Sequence, residues 1–425
     1  MSSILPDLNA TKPQAKANGT VIAELLLASR QHHLHLAIEN ETYRSFSGSI
    51  MYQQCNKCLF DTHIGTISFN KEGVCNYCEM VSRFSIEYGT GQQKGKTTLA
   101  TTIKDIKSAG KKKKYDCVIG VSGGTDSSFL LLKAKEWGLR PLAVHYDNTW
   151  NSAVATMNIS KVTSHLGVDL ITHVVNNREI DDLKLSLLKA GVPEFDADTD
   201  LAFVQVLRKT AAKYGIKYIL EGHSFIAEGI SPPTANYFDG KYITEIHKQF
   251  GNLKLKSFPN LTLFQFLKWC VVYRQKFIRP FWYIDYSKSQ AKQELTEKTG
   301  WLDYGGHHLE NLATAFLHEI WLPKRFGVDF RNLKVSADVR NGTLSREGGK
   351  KLLSANRGST RILEDYVKNR LRLSTSDLEK LMGQPLKYSS DFTTYKPLFK
   401  RLKFLFFLLA KQELVPLSFY EKYCK

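Results

Sequence analysis

Through the middle of the chain, short apolar runs alternate with longer segments whose apolar residues recur every three or four positions. The runs at 115–121, 141–146, 169–175 and 217–221 predict buried strands. The segments after them, opening at 125 and spanning 152–166, 179–190 and 200–214, predict helices. This alternation implies an α/β fold, a parallel sheet flanked by helices, with ligands at the C-terminal ends of the strands. Past residue 224 the pattern changes. The stretch AEGISPPTANYFDGKYITEIHKQFG reads as a long functional loop, and 261–284, PFWYIDYSKSQAKQEL and WLDYGGHHLENLATAF as further helices and aromatic turns. The last part, 395–425, alternates Lys and Arg with Phe and Leu. It predicts a packed helix with a basic face, and contact with a membrane surface is the sharper reading of the same pattern.

Ahead of the first strand the chain is polar. Residues 1–19 read as disordered, and 21–38 as an amphipathic helix whose His32, His33 and His35 do not share one face and so read as solvated. The stretch 89–114 reads as a linker. Its Gly-Lys-Thr has the wrong spacing for a Walker A loop and no strand before it, and Lys111 to Lys114 reads as a solvated charge run.

The junction of first strand and first helix, VSGGTDSS, carries the sharpest chemical signal. Gly123 and Gly124 let the backbone turn its N–H groups toward an anion, the helix adds its positive N-terminal end, and Ser122 and Ser127 add hydroxyl donors. The loop suits a phosphate, yet it has neither the Walker A lysine nor the GxGxxG spacing. The alternation brings two other stretches to the same crevice, His145 to Trp150 and Glu221 to Ser224. Asp147 and His223 lie there as ligand contacts, or else as helix caps and loop-backbone partners.

A second signal is Cys55-x2-Cys58-x16-Cys75-x2-Cys78, two thiolate knuckles separated by enough chain for a hairpin. That is zinc-ribbon spacing. A closed four-cysteine site is structural, and so short a unit would not fold without its metal; a redox pair or an iron–sulfur cluster remains the alternative. Seven cysteines, four of them in these pairs, suit reduced thiols rather than a disulfide framework.

Composition adds one point. The formal charge of +18 calls for an anionic partner, whether nucleic acid, nucleotide sugar or membrane surface. No apolar stretch is long enough to span a membrane, the best at 261–284 being broken by Lys268, Arg274, Lys276 and Arg279. With no signal-peptide pattern at the N-terminus, a cytoplasmic location is expected.

The loop resembles the SGGxDS loop of the PP-loop ATP pyrophosphatases. More of the chain, over roughly 50–355, is similar to the N-acetyl sugar amidotransferases of the WbpG type, from bacterial surface-polysaccharide (lipopolysaccharide O-antigen) biosynthesis. The blocks that carry this are YDCVIGVSGGTDSS, LAVHYDNTWNS, EGHSFIAEGI, DGKYITEIHKQFG, PFWYIDYSK, YGGHHLEN, LPKRFGVDFR and LSREG. Pattern and resemblance together divide the chain into a partly disordered N-terminal extension over 1–50, a zinc ribbon over 51–80, a linker over 81–114, a PP-loop ATP-binding domain over 115–260 and a mostly helical region over 261–425, the extension and the end of the chain lying outside the resemblance.

The resemblance implies a reaction in which an acetamido oxygen of a nucleotide sugar attacks the α-phosphate of ATP, pyrophosphate leaves, and ammonia displaces AMP to give an acetamidino group. Ser122, Gly123, Gly124, Thr125 and Ser127 would hold the pyrophosphate, and Asp126 would orient the loop or help bind Mg²⁺. Asp147, Asn148 and His223 would line the crevice. Glu228, Tyr242, His247, His307 and His308 are weaker candidates for sugar contacts. Where Thr125 stands the family's loop often has Lys, the region GGHH departs in the same way at His307, and GKKLL after LSREG is a third departure. Neither Ser2 nor the settings of Cys117 and Cys270 suit a glutaminase, so ammonia is expected from a separate glutaminase and a cyclase-like partner. The rival is a tRNA-modifying PP-loop sulfurtransferase, which the basic charge would suit. A non-catalytic nucleotide-binding module is the third reading.

Overall fold

Five short strands, β1 (Cys117–Gly120), β2 (Pro141–Asp147), β3 (Leu170–Val174), β4 (Tyr218–Leu220) and β5 (Lys276–Ile278), form the sheet. All are parallel, in the order β3-β2-β1-β4-β5. The computed structural model describes residues 52–425 apart from 233–236, 238, 306–309, 356–359, 413, 416–418, 421–422 and 425. His32, His33, His35, His307 and His308 therefore lie outside the described residues.

Alternate side chains of the inner strands feed two cores. Val118, Leu142, Val144 and Ile219 point to one face, covered by the helices Asn177–Ala190, Ala197–Lys213 and Gly240–Phe250. Cys117, Ile119, Ala143 and Leu220 point to the other, covered by Thr125–Glu136, Ala153–Leu166 and Lys288–Thr299. The inner strands β1, β2 and β4, buried on both faces, read as continuous apolar runs, which is why they stood out in the sequence, whereas the edge strand β3 is half exposed.

Three expectations need correction. The stretch 227–251, expected as a long functional loop and not a packed element, ends in the helix Gly240–Phe250, whose Tyr242, Ile243 and Ile246 are buried in the core. The sheet runs past the 115–260 boundary, because β5 pairs in register with β4 and completes an edge. Its three residues sit among Arg274, Lys276 and Arg279, so neither length nor hydropathy marks it. The stretch expected as a linker, 81–114, is mostly helical, over Asn76–Tyr88 and Gln93–Gly110. Leu99, Ile103 and Ile106 fall at helical spacing, and Ile106 joins the sheet's second core. Gly95 lets the two helices meet, since a Cβ there would lie 2.3 Å from the carbonyl oxygens of Gly89 and Tyr283.

The cysteine ribbon packs on the C-terminal region. Leu333 and Ile230 close its apolar cluster, Ser336 Oγ accepts from the Leu59 N–H (3.2 Å), and Arg346 donates to the Cys58 carbonyl (2.7 Å). Ribbon, sheet and C-terminal helices belong to one unit, residues 53–425.

Candidate functional site

The loop between β1 and the helix Thr125–Glu136 is shaped by distant residues. Gly123 has φ +80°, and a Cβ on it would lie 2.2 Å from the Ala155 carbonyl oxygen, so both the conformation and the space demand glycine. Its own carbonyl is tied down by Trp301 Nε1 (3.0 Å) and Asn158 Nδ2 (3.3 Å). Inside the loop the hydroxyls are loosely committed. Ser122 Oγ and Ser127 Oγ stand 3.3 Å apart, and the Ser127 hydroxyl donates to the Gly124 carbonyl at 3.3 Å. These long contacts leave the hydroxyls able to turn to an anion. At Gly124 an added Cβ would meet Glu310 Oε1 (2.9 Å), Ser122 Oγ (3.1 Å) and Tyr304 Oη (3.2 Å), so the small residue keeps open a cradle walled by the C-terminal region.

Asp126 faces Tyr286 and Lys288. The Tyr286 hydroxyl donates to one carboxylate oxygen, and Lys288 Nζ lies 2.7 Å from the other. Burial alone would raise the Asp126 pKa, but Lys288 and the Tyr286 hydrogen bond outweigh it and hold the group below its ordinary value. Lys288 lies 3.9 Å from Glu228 as well. Burial works against its charge, while Asp126, Glu228 and Glu310 win and keep it protonated. Both oxygens of Asp126 are thus engaged, which fits an orienting role for this residue and not that of a ready magnesium ligand.

His223 completes one wall. Trp282 Nε1 donates to its Nδ1 (3.1 Å), leaving Nε2 toward Glu228 at 3.6 Å. Trp282 is itself packed among Phe84, Tyr88 and Phe225, so the helix that starts at the ribbon braces this wall. On the opposite side, Asp147 Oδ1 accepts from the Thr149 N–H (2.7 Å) and Asn151 Nδ2 (3.2 Å). Thr149 is held at φ +63°, rare for a β-branched residue, by Arg370, which donates to both its carbonyl and its hydroxyl. The neutral His145 ring bonds the Val121 carbonyl (2.9 Å) and Asn151 (3.2 Å), and burial lowers its pKa.

The structure brings Ser122 to Ser127, Asp147, His223 and Glu228 to the ends of the strands. Others differ from expectation. Asn148 is fully buried, bonding Thr199 (2.9 Å), Asn311 (2.9 Å) and the Trp150 N–H (3.0 Å), so it organises the turn and does not face a ligand. Tyr242 is a core residue whose hydroxyl donates to Glu194 at 3.0 Å. His247 lies on Asp182 (2.9 Å), which also receives the Asn252 and Leu253 N–H groups, a structural knot away from the loop. Lys288, Tyr286, Trp301, Tyr304 and Glu310 were missed as site residues. Two of them stand in PFWYIDYSK, where an aromatic-rich turn ends in a lone lysine.

In the ribbon, Cys55 and Cys78 Sγ are 3.8 Å apart, as are Cys58 and Cys75, and all four lie within 4.8 Å of one another. A tetrahedron with metal–sulfur bonds of about 2.3 Å has edges of about 3.8 Å, so the four thiolates fit one closed ion and are too close to embrace an iron–sulfur cube. The Lys57, Phe60 and Cys75 N–H groups and Arg340 Nε (3.2 Å) point at the sulfurs. The remaining thiols are remote from ligand chemistry. Cys117 and Cys270 are buried with pKa values raised by burial, and Cys424 is pushed up to about 11 by burial.

A parallel sheet with an SGGTDS loop at the end of its first inner strand defines a PP-loop type of α/β protein. Residues 310–405 match the family described as LPS biosynthesis protein WbpG-like, C-terminal domain. An uncharacterized protein of Methanocaldococcus jannaschii, MJ1599, is 26% identical over 325 residues, covering 75% of this chain and 100% of the relative. Among solved structures, NMN synthetase from Francisella tularensis is 13% identical with a TM-score of 0.34, over 65% of this chain and 94% of that one. The U34-tRNA thiolase NcsA from Methanococcus maripaludis, with its [4Fe-4S] cluster, is 12% identical with a TM-score of 0.30, over 77% and 100%.

Proposed function

We propose that the protein is an ATP-dependent amidotransferase that converts the N-acetyl group of a nucleotide-activated sugar to an acetamidino group, in surface-polysaccharide biosynthesis. The observation that carries this reading is the meeting of the WbpG-like region with the phosphate loop. Glu310, the first matched residue, borders Gly124, and its carbonyl accepts from the Ser152 N–H at 2.9 Å. Asn311 bonds Asn148 and Asn151, and the Leu312 N–H bonds the Trp150 carbonyl at 2.8 Å. These contacts support a reading in which the region that would define the acceptor borders the loop.

An amide carbonyl is a poor electrophile. ATP supplies activation: the amide oxygen bonds to the α-phosphorus as the bond to pyrophosphate breaks, and ammonia then adds to the carbon as AMP leaves with that oxygen. The chain's part is to bind and orient. Loop N–H groups with Ser122 and Ser127 hold the departing diphosphate, and Lys288 supplies the fixed cation that the loop lacks at Thr125. Asp126, Glu228 and Glu310 surround that single lysine, a surplus of negative charge that suits a nucleotide arriving with Mg²⁺. For the ribbon, the donor set and spacing support structural zinc. Ammonia would come from a separate glutaminase and cyclase-like partner.

The sulfurtransferase reading has less support, because Cys117, Cys270 and Cys424 are all buried and held protonated. The test is mass spectrometry of N-acetylated nucleotide sugars incubated with ATP and ammonium salt. Replacing O by NH makes the product about one mass unit lighter and strongly basic. AMP and pyrophosphate should form in step, and glutamine alone should not serve. Sulfur appearing in tRNA while every nucleotide sugar stayed unchanged would replace this reading with its rival.

A further inference from the structure

The helix Lys403–Lys411 has its apolar residues on the wrong side for a soluble surface. Phe406 and Ala410 point inward to a small core with Phe399 and Cys270. Phe404, Leu405, Phe407 and Leu408 point outward, with Phe404 73% exposed. The segment 263–272 shares that core, Phe266 stacking on Phe419 at 4.6 Å, and it too turns apolar residues out, Phe264 and Val272 being 79% and 72% exposed. Outward apolar residues on two elements that share one small core are a binding feature and not a scatter of exposed side chains.

Charge identifies what covers them. Residues 246–284 contain no Asp or Glu, and neither do 392–412. The fold brings these two acid-free stretches together, and the second carries exposed Lys400, Arg401, Lys403 and Lys411 around the outward phenylalanines and leucines. A protein groove would call for some acidic or hydrogen-bonding partners on this face, and a nucleic acid gains little from leucines. Apolar side chains that enter an acyl layer, bordered by cations at headgroup level, match an anionic bilayer. Among the described residues no helix is long and apolar enough to cross a membrane, so the contact is peripheral. We propose that the face formed by Lys403–Lys411 and the segment 263–272 docks on the surface of an anionic lipid bilayer.

The full chain, tested by flotation with vesicles, should bind when phosphatidylglycerol is present, bind little to pure phosphatidylcholine, and dissociate as salt rises. Phe404→Glu with Leu408→Glu should weaken binding at least about tenfold, and Lys403→Gln about fivefold. These side chains are exposed, so metal content and melting temperature should not change. A Phe404→Trp variant should show a blue-shifted emission only with anionic vesicles. Absence of binding to either vesicle, or equal binding to both, overturns the proposal. So does a wild-type dimer that the double variant makes monomeric, or an RNA that binds the chain and is lost with the same variant while vesicles are ignored.

Discussion

The cysteine ribbon and the phosphate loop are built alike and finished differently. Each is a tight turn recognisable from a few residues, and each is completed by side chains that arrive from the last third of the chain. At the ribbon those latecomers close the site: Ser336 accepts from the Leu59 N–H, Arg340 points at the Cys78 sulfur and Arg346 donates to the Cys58 carbonyl. At the loop, Lys288, Tyr304 and Glu310 stand around an opening that Gly124 keeps clear. The ribbon's sulfurs are met by donors from its own backbone and from Arg340, whereas the loop keeps its serine hydroxyls on long contacts around an open cradle.

If the four cysteines hold a metal as proposed, its removal should produce the largest effect, since binding to such thiolate sites is worth about 10–16 kcal/mol in isolated fingers. With a strong chelator, or in Cys58→Ser, the ribbon should become protease-sensitive while the sheet's circular dichroism persists. A ribbon that stays resistant without metal would break the contrast. Next, Lys288→Ala should lower ATP turnover about 10²–10³-fold with the fold intact, as for loss of one preorganised charge partner. The same pair has a pH signature. Asp126 is held below its ordinary value of 3.8, so the pair's contribution to stability is complete above that value and fades as pH falls further. Thermal melts of wild type and Asp126→Asn should therefore converge only in strong acid.

Smaller changes sharpen the comparison. Ser336→Ala leaves the buried Leu59 N–H without its acceptor and should cost about 1–3 kcal/mol of stability, read in denaturant melts, without touching turnover. Trp282→Phe keeps a ring in the aromatic box but removes the donor to His223. It should cost about 1 kcal/mol or less in turnover and change the His223 tautomer seen by nitrogen NMR.

The parts legible in the sequence were those fixed by local periodicity. Strands predicted at 141–146 and 169–175 correspond to Pro141–Asp147 and Leu170–Val174, and the helix predicted at 152–166 to Ala153–Leu166. The cysteine spacing likewise gave a real cluster. What periodicity does not carry is pairing across the chain. β5 is visible only as a partner of β4, and Lys288 has a role only because the fold sets it 2.7 Å from Asp126. Tyr242 and His247 misled for the converse reason, since polar residues in a distinctive block can serve the core as well as a ligand.

The double tether on the Gly123 carbonyl has a kinetic consequence. With that peptide plane pinned by Trp301 and Asn158, the loop need not be ordered by its guest. A nucleotide or a phosphate mimic should then meet a loop backbone that is already ordered, with little ordering entropy to subtract from its affinity. Ligands of very different strength should associate at similar speeds and differ in how long they stay.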